Sequence, residues 1–79
     1  METVEEPHWR ASNPTELGRA LGRLRRSRDL TQEQMASRVG VHRSYLAKME
    51  AGLSTEQIQR TFALLREAGY ELAVVPRQH

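Results

Sequence analysis

The 79-residue sequence contains no cysteine, which excludes a disulfide framework and any thiolate metal site. It has no apolar run long enough to cross a bilayer, and no charged-then-apolar signal segment opens it. A soluble, cytoplasmic protein is the expectation. The three histidines, His8, His42 and His79, are scattered and lack metal-ligand spacing. No glycine-rich phosphate loop follows a strand, and no nucleophile elbow is present. Glu5 and Glu6 fall in an aperiodic tail, and Glu33 lies near a helix start, where an acid is simply favourable. No catalytic constellation results, so the expectation is a non-enzyme without cofactor or metal. Acids are also missing from residues 19–28, which carry Arg19, Arg23, Arg25, Arg26 and Arg28, although the net charge is only +2. Alone, such a run reads as a solvated helix face. Beside a DNA-reading element it reads as a phosphate-binding surface.

What is present is organised around Thr31 to Gly52, TQEQMASRVGVHRSYLAKMEAG. Thr31 can cap a helix, and Gln34 three residues on completes a capping box. Met35, Ala36 and Val39 fall on one helical face. Gly40 can take positive φ and ends that helix, and Val41 is the apolar residue of the turn. A second helix runs from about Arg43, with Leu46 and Met49 inward, and Gly52 closes it. Ala36 supplies the small residue that two closely crossing helices need. Two short helices joined by a tight turn form a helix-turn-helix, whose second helix lies in the DNA major groove. A plain helical hairpin is the alternative.

The flanks complete one small domain, with expected boundaries at residues 13–69. Residues 1–12 are aperiodic, contain Pro7 and carry the sole tryptophan, Trp9; they are expected to be a flexible arm. Asn13 caps a first helix with Pro14 at its first position and Glu16 at its third. Leu17, Leu21 and Leu24 form its apolar stripe. Gly18 and Gly22 either allow close packing or leave this helix soft. Arg28, Asp29 and Leu30 end it. Ser54 is expected to cap a fourth helix, with Gln57 completing its box and Ile58, Phe62 and Leu65 facing inward. After Gly69 the period changes, and residues 70–76 read as a strand ended by Pro76. Residues 77–79 are tail. Such a strand has no partner within the chain. Its expected solution is antiparallel pairing across a homodimer axis through Tyr70, Leu72, Val74 and Val75. An extended tail on the helices is the alternative.

The stretch LTQEQMASRVGVHRSYLAKMEAG resembles the core of the Cro and phage-repressor-like (XRE) helix-turn-helix family. It matches at the Thr-Gln start, Ala36, Gly40, Val41, Leu46 and the Glu50-x-Gly52 ending. The resemblance implies a mainly α, compact four-helix, lambda-repressor-like domain. In that register Gln32 matches the family's phosphate-binding glutamine, and Arg25 and Glu50 match its paired ions. The family commonly has glycine at Asp29 and a serine cap at His42. Asp tolerates the left-handed conformation; histidine is a poorer cap. With Leu46 and Met49 inward, Arg43, Ser44, Tyr45 and Lys48 face out as candidate base contacts. Thr31, Gln32, His42, Arg26, Arg28 and Arg38 are the candidate phosphate contacts.

Four helices followed by a strand, rather than a fifth helix, are similar to HipB-type antitoxins. That resemblance implies an autoregulating repressor dimer on an inverted-repeat operator in double-stranded DNA, associated with the nucleoid. It also implies a HipA-like kinase toxin as partner. A stand-alone phage-type repressor and a protein-interaction module without specific DNA binding are the alternatives.

Overall fold

The computed structural model describes residues 9–77. Its elements are β1 (Trp9–Ala11), α1 (Pro14–Ser27), α2 (Gln32–Val39), α3 (Arg43–Glu50), α4 (Glu56–Ala68) and β2 (Leu72–Val74). The fold is mainly helical with a two-stranded sheet. Each helix begins with a side-chain cap that satisfies an orphan backbone N–H. Asn13 Oδ1 accepts from Glu16 N at 2.8 Å, and Pro14 occupies the first turn of α1. Thr31 and Gln34 form the full capping box of α2, with bonds of 3.0 and 2.9 Å. The cap of α4 is Thr55, whose Oγ1 accepts from Ile58 N at 3.3 Å. This corrects the expectation of Ser54. The turn after α3 runs on to Leu53, so Ser54 is still in the connection.

All four helices stop by the same device. A residue with positive φ follows the helix, and the next N–H bonds back to the carbonyl five residues earlier, as in a Schellman motif. The pairs are Leu30 N to Arg25 O, Val41 N to Ala36 O, Leu53 N to Lys48 O and Tyr70 N to Leu65 O, at 2.8–3.2 Å. Glycine holds the turning position in three cases. In the first it is Asp29, with φ of 56°. A β-branched side chain is poorly tolerated there. Asp29→Val is expected to lower stability by about 1–2 kcal/mol, and Asp29→Gly to change it by less than about 1 kcal/mol. Urea unfolding of the two variants checks the contrast.

The core lies where α1 meets α3, β1 and α4. Ala11, Ala20, Ala36 and Phe62 are its buried apolar residues. Gly18 and Gly22 are buried with them, while Leu17, Leu21, Leu24, Ile58 and Leu65 are half-buried around it. Small side chains dominate because α1 and α3 approach closely. A Cβ on Gly18 would overlap the Met49 carbonyl oxygen and lie 2.8 Å from that of Glu50. The two glycines of α1 therefore serve close packing.

Two expectations about apolar faces are corrected. Val39, the last residue of α2, is 61 % exposed. Residues 70–76 contribute only Leu72–Val74 as strand. Tyr70 is consumed by the stop of α4 and is 71 % exposed, and Val75 is 53 % exposed.

The strand also has a partner within the chain. β1 and β2 run antiparallel with Trp9 opposite Val74, Arg10 opposite Ala73 and Ala11 opposite Leu72. The expected arm of residues 1–12 thus contains a strand at its end, and the remainder, 1–8, lies outside the described residues. Side chains fasten the end of β1 to α4 and β1 to the residue before β2. Arg66 donates to the Ser12 carbonyl at 3.0 Å, and Arg10 pairs with Glu71 at 3.4 Å. Ala11 is wholly buried against α1.

Candidate nucleic-acid interface

The glycines of α1 and the turn after α3 meet at the C-terminal end of α3. Thr15 of α1 packs against Gly52, Gly18 against the Met49 and Glu50 carbonyls, and Gly22 against the Glu50 carboxylate. All of these lie at the C-terminal end of α3. Its N-terminal end is left outward, with His42, Arg43, Ser44, Tyr45 and Lys48 all exposed. Leu46 and Met49 are half-buried on the opposite side. The outward set thus presents a guanidinium, a hydroxyl, a phenol and an ammonium to solvent.

His42 caps α3. Its Nδ1 accepts from Ser44 N at 3.2 Å and lies 2.9 Å from Ser44 Oγ. A ring nitrogen can accept only when it carries no proton, so the cap puts the neutral ring's proton on Nε2. The imidazole therefore replaces the usual serine cap, a role that residue-type preference alone did not assign to it.

One carboxylate joins the elements around the turn. Glu50 Oε2 accepts from Arg25 Nε at 2.7 Å, and its Oε1 accepts from Arg25 Nη2 at 3.0 Å. Gln32 Nε2 also donates to Oε1, at 3.0 Å. Arg25 Nη1 continues to the Leu30 carbonyl at 2.8 Å. The two ionic side chains are only 11 % and 9 % exposed. Arg25's hydrogen bonds and charge hold the Glu50 carboxyl below the usual carboxylate range, assisted by Gln32 and by Arg26, and the same bonds raise Arg25. α1, the α1–α2 turn, the start of α2 and the end of α3 are thereby fixed to one another.

The candidate phosphate contacts are distributed unevenly. Thr31 is exposed but its hydroxyl is the α2 cap. Gln32 is half-buried with its amide nitrogen on Glu50. Both stand at the α2 N-terminus, where backbone N–H groups favour an anion. Arg26 is exposed beside Gly22 and Glu50. Arg28 lies at the far end of α1, on the rim of a hollow of about 520 Å³ shared with Trp9, Leu24 and Val74–Pro76. Arg38 is exposed in the last turn of α2.

One feature near the interface has no sequence signal. Tyr45, Lys48, Met49, Leu53, Ser54 and Thr55 line a hollow of about 190 Å³. The Ser54 hydroxyl is buried there with no hydrogen-bond partner. Its residue type suggests a cap, which is why the hollow is not foreseen.

A helix-turn-helix domain model matches residues 16–66, from the first turn of α1 to the last turn of α4. The chain belongs to the helix-turn-helix domain family. No curated protein and no solved structure matches the chain. The family match covers the cap of α2, the Gly40 turn, all of α3 and the Arg25–Glu50–Gln32 junction. It makes this helix-turn-helix protein a DNA-binding regulator in class. Among the described residues no helix is long and apolar enough to cross a membrane, and no cluster of ligating side chains could hold a metal ion.

Proposed function

We propose that this helix-turn-helix protein is a dimeric, sequence-specific repressor of transcription that reads its operator with α3. The observation that carries this reading is the outward face of α3. Arg43, Ser44, Tyr45 and Lys48 are exposed together on a helix held from its far end. Arg43 has the fork that binds guanine O6 and N7, Ser44 donates or accepts, Tyr45 offers ring and hydroxyl, and Lys48 reaches guanine or phosphate. The α2 N-terminus with Thr31, Gln32 and the neighbouring His42, aided by Arg26, Arg28 and Arg38, supplies backbone contacts.

The dimer reading is supported by the edge of β2 away from β1, since β2 pairs with β1 alone among the described residues. Its second edge can pair with β2 of another copy, giving the strand order β1-β2-β2-β1 across a two-fold axis. Two α3 helices would then enter major grooves about 34 Å apart on an inverted repeat. The succession of four helices and a strand supports the finer reading of an antitoxin that represses its own operon and restrains a HipA-like kinase toxin.

The test is a titration onto duplex from the chain's own upstream region, with random duplex as control, at two salt concentrations. Selective binding by a dimer is expected. Arg43→Ala is expected to cost about 1–3 kcal/mol on the specific duplex, and much less on random duplex. Lys48→Ala should weaken specific binding in the same direction. Equal, strongly salt-dependent binding to both duplexes by the parent would reduce the reading to phosphate attraction. Binding to neither, with capture of a co-encoded kinase intact after both substitutions, would establish the protein-interaction module instead.

A further inference from the structure

The basic run of residues 19–28 is sorted by the fold into three unlike groups. Arg25 is turned inward onto Glu50 and Leu30. Arg28 faces the hollow beside Trp9 and the sheet. Arg19, Arg23 and Arg26, spaced i, i+4 and i+7, line one groove along α1 with Gly18, Gly22 and Glu50. The groove encloses about 230 Å³, and all three arginines are exposed.

None of the three has an acidic partner within salt-bridge distance among the described residues. The ion pairs there are Arg10–Glu71, Arg25–Glu50 and Arg60–Glu56. Glu50 is the acid nearest the groove, but its two oxygens already accept three N–H groups from Arg25 and Gln32. The groove also meets the C-terminal end of α3, where carbonyls could attract cations. Those of Ala47, Lys48 and Met49 are taken by the N–H groups of Ala51, Leu53 and Gly52. Three guanidinium groups thus stand together with little inside the chain to neutralise them. The floor is open because Gly22 has no side chain. A Cβ there would lie 3.1 Å from an Arg26 guanidinium nitrogen and 3.2 Å from Glu50 Oε1.

We infer that this groove holds the phosphate backbone of DNA beside the α3 contact, lengthening the footprint along α1. The proposal rests on the DNA-binding reading of α3 and deepens it. Position selects DNA over another polyanion. The groove is lined by Glu50, whose carboxylate grips Gln32 in the first turn of α2, so one residue joins it to the anion-favouring helix start. From Arg19 to Arg26 the helix rises roughly 10 Å. A DNA strand carries one phosphate per about 3.4 Å of rise, so the groove spans about three phosphates. Guanidinium groups bind phosphate in bidentate fashion, and contacts to phosphate carry no base preference.

The test compares the parent with Arg19→Gln/Arg23→Gln/Arg26→Gln, with Arg60→Gln as a control on the opposite helix. Log affinity is measured against log salt on upstream and random duplexes, with thermal melts to establish folding. The triple variant is expected to flatten the salt slope by about 2–3 units on both duplexes, leaving their affinity ratio unchanged. Arg60→Gln should leave the slope as it is. A folded triple variant with the parental slope overturns the groove and leaves the α3 reading standing. If a labelled polyglutamate peptide then binds the parent and not the variant, the groove is a site for acidic protein. A parent that binds no duplex overturns both.

Discussion

Gly18→Ala is expected to destabilise the domain by about 1–2 kcal/mol, and Gly22→Ala to change its stability by less than about 1 kcal/mol. Both substitutions place alanine inside α1, where it should contribute about 1 kcal/mol through helix propensity. What differs is the neighbour that the new methyl group meets. At Gly18 it collides with the backbone carbonyls of Met49 and Glu50. Backbone cannot swing aside, so α1 and α3 must separate, and overpacking of this kind costs about 1–3 kcal/mol or more. At Gly22 it meets the ends of Arg26 and Glu50 at 3.1 and 3.2 Å. The Arg26 end is exposed and can give way, whereas Glu50 Oε1 is held by Arg25 and Gln32 and must shift by a few tenths of an ångström, which offsets part of the propensity gain.

A chain of this size has only a few kcal/mol of stability to lose, since it buries a modest core. Gly18→Ala therefore lowers the unfolding midpoint in urea far more than any surface change. It should also impair DNA binding, because the overlap lies where α1 meets the C-terminal end of α3. Equal stabilities for the two variants would mean that the helices do not cross as closely as described.

The contrast between these glycines also marks what could be read from sequence. Both sit in a helix that they weaken, and nothing in their spacing tells a crossing point from a soft spot. That distinction needs the partner's backbone. Short-range signals were legible: Asn13, Thr31 and Gly40 act on residues at most five away, and the starts and stops of α1 and α2 follow from them. His42 was harder, since capping by imidazole depends on which nitrogen is free. Thr55 was missed in favour of Ser54 because either residue can cap, and the length of the preceding turn decides. Long-range features were largely hidden. Trp9–Ala11 is three residues long, too short to show alternation, so β1 became visible only when paired with Leu72–Val74. Arg25 and Glu50 are 25 positions apart, and only the family resemblance brought them together. Val39 ends α2 and is exposed, and periodicity within α2 does not encode where its partner helix stops covering it.

Glu50→Ala is expected to cost about 3–5 kcal/mol. It removes the acceptor for three N–H groups and leaves the Arg25 guanidinium enclosed without its counter-charge. That is the costly way to break an enclosed ion pair. Glu50→Gln keeps the shape and one acceptor and should cost less. Gln32 loses its anchor in the alanine variant, so the start of α2 loosens as well as the end of α3.

The pair also sets how stability depends on acid. Glu50 is held below its ordinary value of 4.5 by Arg25. A carboxyl with a lower pKa in the folded state contributes its full stability above the unfolded value. That contribution declines once the pH falls below the unfolded value and is gone below the folded one. The parent's urea midpoint should therefore fall more steeply than that of Glu50→Gln as the pH is taken from 7 towards 2.5. Other carboxylates titrate in the same range, so the difference between the two curves isolates Glu50. Parallel curves would mean that the pair is solvated and worth no more than about 1 kcal/mol. Converging curves at low pH, with parent and variant far apart at pH 7, would establish this junction as the element that fixes α3 against α1 and α2.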